Sequence, residues 1–204
     1  RECDKPLQTK VLTRANSAGF TPLHDALKEG NVVNLGLYLN LLRECNPELQ
    51  EKVLTSANSA GFTPLHEALI AGNADNLSLY LGFLKKCDKF LQAQVLTSAN
   101  SAGFTPLHSA LKEGNQVNLG LYLDLLKECD KDMQEQLLTR VNSAGFTPLH
   151  QALKEGNAEN LSLYLNLLRE CDPELRVQVL TRANSAGFTP LHSALKEGSP
   201  ENVR

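Results

Sequence analysis

The chain has 204 residues, of which 42% are hydrophobic and 21% are charged, and its formal net charge is -3. This composition excludes an intrinsically disordered chain, because such chains have low hydrophobicity and high net charge. A small negative charge without a run of like-charged residues disfavours nucleic acid as a partner. No apolar stretch reaches the roughly 18 residues of a membrane-spanning helix, and the first residues have no apolar signal-peptide core. We therefore expect a cytoplasmic protein that binds neither a membrane nor nucleic acid.

One motif, Gly-Phe-Thr-Pro-Leu-His, occurs five times at a constant interval of 42 residues. Its copies are residues 19–24, 61–66, 103–108, 145–150 and 187–192. A fixed period of this length is typical of a repeat array, in which each unit packs only on its neighbours. We predict one domain over residues 1–204 with an incomplete repeat at each end. Such arrays normally end in polar capping repeats. None is found here, so we expect end-to-end self-association.

In chain order, Asn16–Gly19 predicts a turn, because asparagine supports local hydrogen bonds and glycine permits unusual backbone angles. A first helix then begins with Thr21 as its N-cap and Pro22 at its first position. Gly30 ends this helix after about two turns. The repeat therefore contains a turn and then a short helix.

A second helix is predicted after Asn31, which is a good N-cap. Its inward residues follow helical spacing and are Leu35, Tyr38, Leu39, Leu42 and Cys45. Leu37 and Leu41 add a second apolar edge, which predicts that neighbouring repeats cover this helix on several sides.

A third helix is predicted from the cap Asn46 and the proline Pro47. Its inward residues should be Leu49, Val53 and Ala57. The later copies keep an N-cap at this place as Asp88, Asp130 and Asp172.

The pattern Gly-x-Thr-Pro-Leu-His-x-Ala, followed by glycine and a leucine-rich helix, resembles the ankyrin repeat family. The resemblance covers the whole chain, five times over. It implies a hairpin-like loop with two antiparallel helices in each unit, protein-protein binding, and no catalytic residue or cofactor. The family's binding surface is the concave side, which is formed by the loop tips and the exposed side of the first helix.

The repeats differ from that family in length, since ankyrin repeats have about 33 residues. The extra residues lie around Cys45 to Lys52 and form the predicted third helix. The segment Leu12–Ala15 is compatible with a strand of an ankyrin finger or with the end of the third helix, and we favour the helix. The predicted fold is therefore an all-α repeat solenoid of ankyrin-like units with three helices per 42 residues. An armadillo-type array is the second choice, because it does not account for Thr-Pro-Leu-His.

The histidine of each copy could suggest a metal ligand or a general base. No nearby carboxylate or cysteine accompanies it at a fixed catalytic spacing in all copies, so we expect each imidazole to bond backbone groups of the neighbouring loop. A structural role is accordingly assigned to Thr21, Pro22, Leu23, His24, Thr63, Pro64, Leu65, His66, Thr105, Pro106, Leu107, His108, Thr147, Pro148, Leu149, His150, Thr189, Pro190, Leu191 and His192.

One cysteine occurs in each repeat, and the five are Cys3, Cys45, Cys87, Cys129 and Cys171. Equivalent residues of stacked helices lie about 8 to 10 Å apart, which is too far for a disulfide. No second ligand stands at metal-binding spacing. We expect these residues to be small buried side chains at helix ends, with no metal bound.

The residue after each signature histidine differs between most copies, and in ankyrin proteins the matching position borders the concave groove. The resemblance therefore makes the following residues the candidate partner-binding surface: Asp25, Glu67, Ser109, Gln151, Ser193, Lys28, Glu29, Ile70 and Ala71. Neutral sequence variation at solvent-exposed positions would explain the differences equally well. A second variable set lies on the third helix, at Thr9, Glu51, Ala93, Glu135 and Val177.

The signature phenylalanines form a ladder with one member per repeat, and burial under a neighbouring loop or helix is favoured over an exposed stripe. The sequence as a whole predicts a non-catalytic scaffold for a protein partner. The alternative is an artificial or consensus-designed repeat protein made for stability, with no native partner. The similarity of the copies favours this alternative, and scattered differences such as Phe90 and Met133 oppose it.

Overall fold

The structure, a computed structural model, describes residues 5–155 and 157–197, and the regular elements in these residues are all α-helices. The fourteen helices of this part are α1 Lys5–Thr13, α2 Pro22–Glu29, α3 Val32–Arg43, α4 Pro47–Thr55, α5 Pro64–Ala71, α6 Ala74–Leu84, α7 Lys89–Thr97, α8 Pro106–Glu113, α9 Gln116–Lys127, α10 Lys131–Thr139, α11 Pro148–Glu155, α12 Ala158–Glu170, α13 Pro173–Thr181 and α14 Pro190–Glu197. The prediction of an all-α protein is confirmed.

The helices fall into three types according to their place in the 42-residue period. The first helices follow the signature motif and are α2, α5, α8, α11 and α14. The second helices are α3, α6, α9 and α12, and the third helices are α1, α4, α7, α10 and α13. Cys3 lies outside the described residues.

Helices of the same type pack against one another along the chain. The first helices contact in the order α2, α5, α8, α11 and α14, and the second helices in the order α3, α6, α9 and α12. The third helices contact in the order α1, α4, α7, α10 and α13. Each helix therefore buries its apolar side mainly against the equivalent helix of the next repeat.

The helices begin and end at the residues that the sequence marks for this purpose. Asn31 accepts a hydrogen bond from the backbone of Val33 at 2.8 Å, and Asn46 accepts one from Leu49 at 2.8 Å. Gly30 follows the end of α2, where a β-carbon would collide with the carbonyl of Ala26. The predicted caps and the glycine stop are confirmed.

The core is a continuous set of apolar residues, mainly leucines, that recur at the same places in each repeat. Leu23 and Leu27 of α2, Leu35 of α3 and Val53 of α4 are completely buried. Leu49 is also buried, but the inward prediction for Ala57 is wrong. The helix ends at Thr55, and Ala57 is exposed in the connection to the next turn.

The predicted cover for the second apolar edge of α3 is wrong in the first repeat. Leu37 is 65% exposed and Leu41 is 47% exposed. The residues equivalent to Leu41 in later copies, which are Phe83, Leu125 and Leu167, are all buried. The difference arises because α3 stands at the start of the row α3, α6, α9 and α12. In the described chain, no preceding helix of this type covers the side of α3 that carries Leu41.

The segment Leu12–Ala15 is divided between helix and loop. Leu12 and Thr13 belong to α1, whereas Arg14 and Ala15 lie in the irregular connection before the turn. No helix among the described residues is both long enough and apolar enough to cross a membrane.

Candidate interaction surface

The threonine and histidine of the signature cap the N-terminus of each first helix. In the third copy, the backbone N–H of Thr105 donates to Nδ1 of His108 at 3.3 Å, and the Thr105 hydroxyl lies 2.8 Å from the same nitrogen. The pair forms a capping box, which satisfies backbone donors that a helix leaves free at its start. The same two contacts occur in the other four copies. The threonine and histidine therefore work together to begin the helix.

The other ring nitrogen of the histidine joins one repeat to the next. Because Nδ1 accepts the threonine N–H, Nε2 carries the hydrogen and donates it to a phenylalanine carbonyl of the following repeat. The bonds run from His24 to Phe62 at 3.0 Å, from His66 to Phe104 at 2.9 Å, from His108 to Phe146 at 3.0 Å and from His150 to Phe188 at 2.9 Å. His192 belongs to the last copy and is exposed.

Burial holds these histidines in the uncharged form. Desolvation lowers the pKa of His66 and of His108 from the ordinary value of 6.5 to about 4, although the bond to the phenylalanine carbonyl acts in the opposite direction. The pKa values of His24 and His150 are also lowered by burial. A neutral ring can accept at Nδ1 and donate at Nε2 at the same time, whereas a protonated ring cannot accept.

A second bond between repeats comes from an asparagine that the sequence analysis did not single out. The side-chain nitrogen of Asn118, on α9, donates to the carbonyl of Ala68 at 3.0 Å and to that of Gly72 at 2.7 Å. These carbonyls belong to the last turn and the C-cap of α5, in the preceding repeat. Asn76 and Asn160 make the same pair of bonds. Each asparagine therefore satisfies the end of the neighbouring first helix.

The turn before each first helix stacks closely on the turn of the next repeat. In the second copy, Asn58 accepts from Gly61 at 2.9 Å and donates its own N–H to Phe62 at 2.9 Å. Gly61 has a φ angle of 83°, and a β-carbon at this position would collide with the backbone of Ser101 in the next turn. Glycine is therefore required both by the backbone angle and by the close approach of the next turn.

The residues after the signature histidines have unequal exposure. Asp25 is exposed and Glu67 is half-buried, with its carboxylate 3.0 Å from the side-chain nitrogen of Asn58. Ser109, Gln151 and Ser193 are buried, at 4%, 3% and 5% exposure. These three side chains offer little area to a partner. The accessible part of the predicted surface is therefore narrower than the sequence indicated.

The other four candidate residues are accessible on neighbouring helices. Lys28 is half-buried and Glu29 is exposed on α2, and Ile70 and Ala71 occupy the same places on α5, with Ile70 half-buried and Ala71 exposed. Since α2 packs beside α5, the helices bring the two pairs side by side. A charged pair and an apolar pair thus lie next to each other on the same surface.

The phenylalanine ladder borders this surface. The rings of the first four copies are half-buried, and Phe188 is 37% exposed. The ammonium group of Lys28 lies 5.5 Å from the centre of the Phe20 ring, and three later copies repeat this arrangement. In the second copy, Ile70 stands where the lysine would be, so the side of the array near Phe62 lacks this charge.

The cysteines that the structure describes carry free thiols. Cys45 and Cys171 are buried as predicted, whereas Cys87 and Cys129 are only partly buried. The thiol of Cys45 donates to the carbonyl of Leu41 at 3.4 Å. Burial raises the pKa of Cys87 to about 11, which keeps this thiol protonated at neutral pH.

The described part of the chain contains no group of three or more histidine, cysteine, aspartate or glutamate side chains that could hold a metal ion. The buried tyrosines Tyr80, Tyr122 and Tyr164 have hydroxyl groups without a hydrogen-bond partner in the same part. The first repeat differs, because Tyr38 donates to the carbonyl of Leu12 at 3.4 Å.

The chain matches no protein-family model, and no curated protein matches it.

Proposed function

We propose that the chain is an ankyrin-like solenoid that acts as a non-catalytic, cytoplasmic scaffold and binds a protein partner through its first helices. The loop tips and the exposed side of α2, α5 and α8 form the binding face. The partner contacts the residues that differ between copies, chiefly Asp25, Glu67, Ile70 and Ala71.

The proposal of a solenoid is supported by contacts that recur with the 42-residue period. The bond from histidine to phenylalanine joins each of four successive pairs of repeats at 2.9 to 3.0 Å. The asparagine bonds join three of these pairs in the same geometry. Contacts between neighbouring units are the interactions that stabilise a repeat array.

A non-catalytic role is supported by the way in which the histidines are used. A general base needs a ring nitrogen free to take a proton from a substrate. In His24, His66, His108 and His150, both ring nitrogens already bond groups of the array. The most reactive side chains of the signature are therefore committed to holding the repeats together.

The observation that carries the binding proposal is that equivalent, accessible positions of successive first helices carry different side chains. Ile70 and Ala71 are accessible on α5, where the neighbouring helix carries Lys28 and Glu29 at the same places. Since the backbone and the buried contacts repeat, these substitutions change the chemistry of the surface without changing its shape. A surface of this kind distinguishes partners by side-chain identity.

The cytoplasmic part of the proposal agrees with the free thiols, although the distance between the cysteines also keeps them unpaired. Cys45, Cys87, Cys129 and Cys171 are all unpaired with one another. Oxidising compartments favour disulfides, whereas the cytosol keeps thiols reduced.

A capture experiment tests this proposal. The chain is immobilised, bound proteins are identified from a cell lysate, and the affinity of the purified partner is measured by calorimetry. The test variant combines Ile70→Lys with Ala71→Glu, which are the residues of the first copy, so the fold is kept. We expect at least a tenfold loss of affinity.

The matched control is Val177→Glu, on the third helix α13. Val177 is 59% exposed, and glutamate already occupies this place as Glu51 and Glu135. The control should bind the partner as the parent chain does. Equal binding by the first-helix variant, or loss of binding only in the control, would contradict the proposed surface.

The second candidate is an artificial array whose contacts serve only its own stability. It is favoured by the near-identity of the capping boxes, in which the threonine hydroxyl lies 2.7 to 2.8 Å from the histidine in all five copies. If this candidate is correct, the capture experiment yields no protein that distinguishes the two variants.

A further inference from the structure

A row of basic residues runs along the ends of the second helices, with one residue in each repeat. The row consists of Arg43, Lys85, Lys127 and Arg169. In the middle of the array, each basic residue pairs with a glutamate of the following repeat. Lys85 lies 2.6 Å from Glu128, and Lys127 lies 3.4 Å from Glu170. Oppositely charged groups therefore face one another at these two junctions.

At the first junction in this row, two cations face each other in place of an ion pair. The residue that should pair with Arg43 is Lys86, because lysine replaces the glutamate found at this place in the other copies. Neither Arg43 nor Lys86 forms an ion pair within 4.0 Å among the residues that the structure describes. The guanidinium carbon of Arg43 instead lies 5.8 Å from the centre of the Phe83 ring. Two exposed cations thus stand where the array elsewhere has an ion pair.

The third copy also has an acid near its basic residue that the second copy lacks. Gly82 occupies the position of Asp124, which lies 3.5 Å from Lys127 in the third copy. A β-carbon added to Gly82 would meet no atom within 4 Å, so this position is open. The junction has therefore lost two carboxylates and gained one ammonium group relative to the junction that follows.

These cations border a groove between α3 and α6. Its walls include Leu39, Leu79 and Phe83, and Arg43 and Lys86 stand on its rim. A second groove beside it is also lined by Arg43, Phe83 and Lys86. The acid within this second groove is Asp88, whose carboxylate accepts the backbone N–H of Leu91 at 2.9 Å as the cap of α7.

We propose that the groove between α3 and α6 binds an acidic segment of a protein partner, whose carboxylate lies between Arg43 and Lys86 and replaces the missing glutamate. An apolar side chain next to that carboxylate contacts Leu79, which is 37% exposed. The charges select the acid, and the apolar wall selects a peptide over a free anion. The chain as a whole is negative, which disfavours a polyanion such as nucleic acid.

This surface lies on the second helices, so its test is independent of the scaffold proposed for the first helices. The probe is a short fluorescein-labelled peptide with two glutamates beside a leucine, and its binding is followed by fluorescence anisotropy. The variant Lys86→Glu places a carboxylate next to Arg43, as in the other repeats, and should fold at least as stably as the parent. We expect it to weaken peptide binding at least tenfold. Binding to the parent chain should weaken as salt is raised, because the contact is ionic.

The control variant is Lys10→Glu, which makes the same change in net charge on α1. Lys10 is exposed and its helix does not line the groove. This control should bind the peptide within twofold of the parent, and a peptide with glutamines in place of glutamates should bind neither protein.

The proposal is overturned if the parent does not bind the peptide or if Lys86→Glu binds it as tightly as the parent. It is also overturned if the glutamine peptide binds equally well. Displacement of the peptide by an equal concentration of inorganic phosphate would identify a site for a lone anion instead. Displacement by phosphatidylserine vesicles, but not by phosphatidylcholine vesicles, would identify a membrane surface and would likewise exclude the peptide.

Discussion

Replacing His108 by glutamine tests whether the histidine ladder holds the repeats together. Glutamine is found at this place in capping boxes, so His108→Gln keeps an acceptor for the N–H of Thr105. Its side chain cannot also reach the carbonyl of Phe146, which His108 contacts at 3.0 Å. The perturbation therefore removes the contact between repeats and leaves the local cap in place.

The expected loss is the sum of two contributions. A buried carbonyl that loses its donor costs about 1 to 3 kcal/mol. The edge-on contact between the rings of His108 and Phe104, at 5.6 Å between centroids, contributes about 0.5 to 1.5 kcal/mol. We therefore expect His108→Gln to lower the free energy of unfolding by about 1.5 to 4.5 kcal/mol at pH 7, measured by urea titration.

The matched control is His192→Gln in the last copy. His192 takes part in the same capping box, with its Nδ1 at 3.3 Å from the N–H of Thr189, but its side chain is exposed. This variant should cost less than about 1 kcal/mol, which is within the range of cap substitutions. Equal losses in the two variants would refute the role of His108 between repeats.

The same pair of variants gives a pH dependence whose sign is fixed by the burial of the ring. The pKa of His108 is about 4 in the folded chain and ordinarily 6.5, so between these values the unfolded chain binds more protons. The parent should therefore lose stability as the pH falls from 6.5 to 4, by about 3 kcal/mol for each such histidine. His108→Gln lacks one of these contributions, so its disadvantage should shrink toward pH 4. Parallel pH profiles would contradict the assignment of a neutral buried ring.

Three further variants test other contacts. Asn118→Ala should cost about 2 kcal/mol or more in urea titration, because two carbonyls of the preceding repeat lose their donor, while Asn34→Ala, at an exposed counterpart, should be near neutral. Tyr122→Phe should leave the melting temperature unchanged or raise it, since its buried hydroxyl has no partner among the described residues; a clear loss would reveal one. The parent chain should sediment faster as its concentration rises, and Leu191→Glu should abolish this effect, because Leu191 is 61% exposed where its counterparts are buried. A parent that remains monomeric at all concentrations would exclude end-to-end association.

The helices were predictable because their ends are marked by residues with few alternative uses. Pro22 fits only the first turn of a helix, Asn46 is an N-cap by its side-chain geometry, and Gly30 closes a helix against the carbonyl of Ala26. The third helix could be located in the same way, although it has no counterpart in the family that the signature resembles. Local chemistry was sufficient for these features.

The bonds between repeats were only partly predictable. The histidine carries a distinctive signature, so its structural role could be inferred, but its acceptor lies 38 residues away and only the packing reveals it. An asparagine within a helix, such as Asn118, has no such signature. Its regular recurrence at 42 residues was the signal that could have led to it. The burial of Ser109 and Gln151 was missed because it depends on how closely neighbouring helices approach.

The contacts between repeats also bear on how such a chain can change its length. Each unit presents a histidine and an asparagine whose acceptors recur at the same interval, so these bonds do not depend on which unit follows. Removing 42 consecutive residues from the interior would rejoin equivalent positions and restore the same bonds across the junction. Duplication of such a block would do likewise. A change in copy number by whole 42-residue blocks therefore keeps the histidine and asparagine bonds at the new junction.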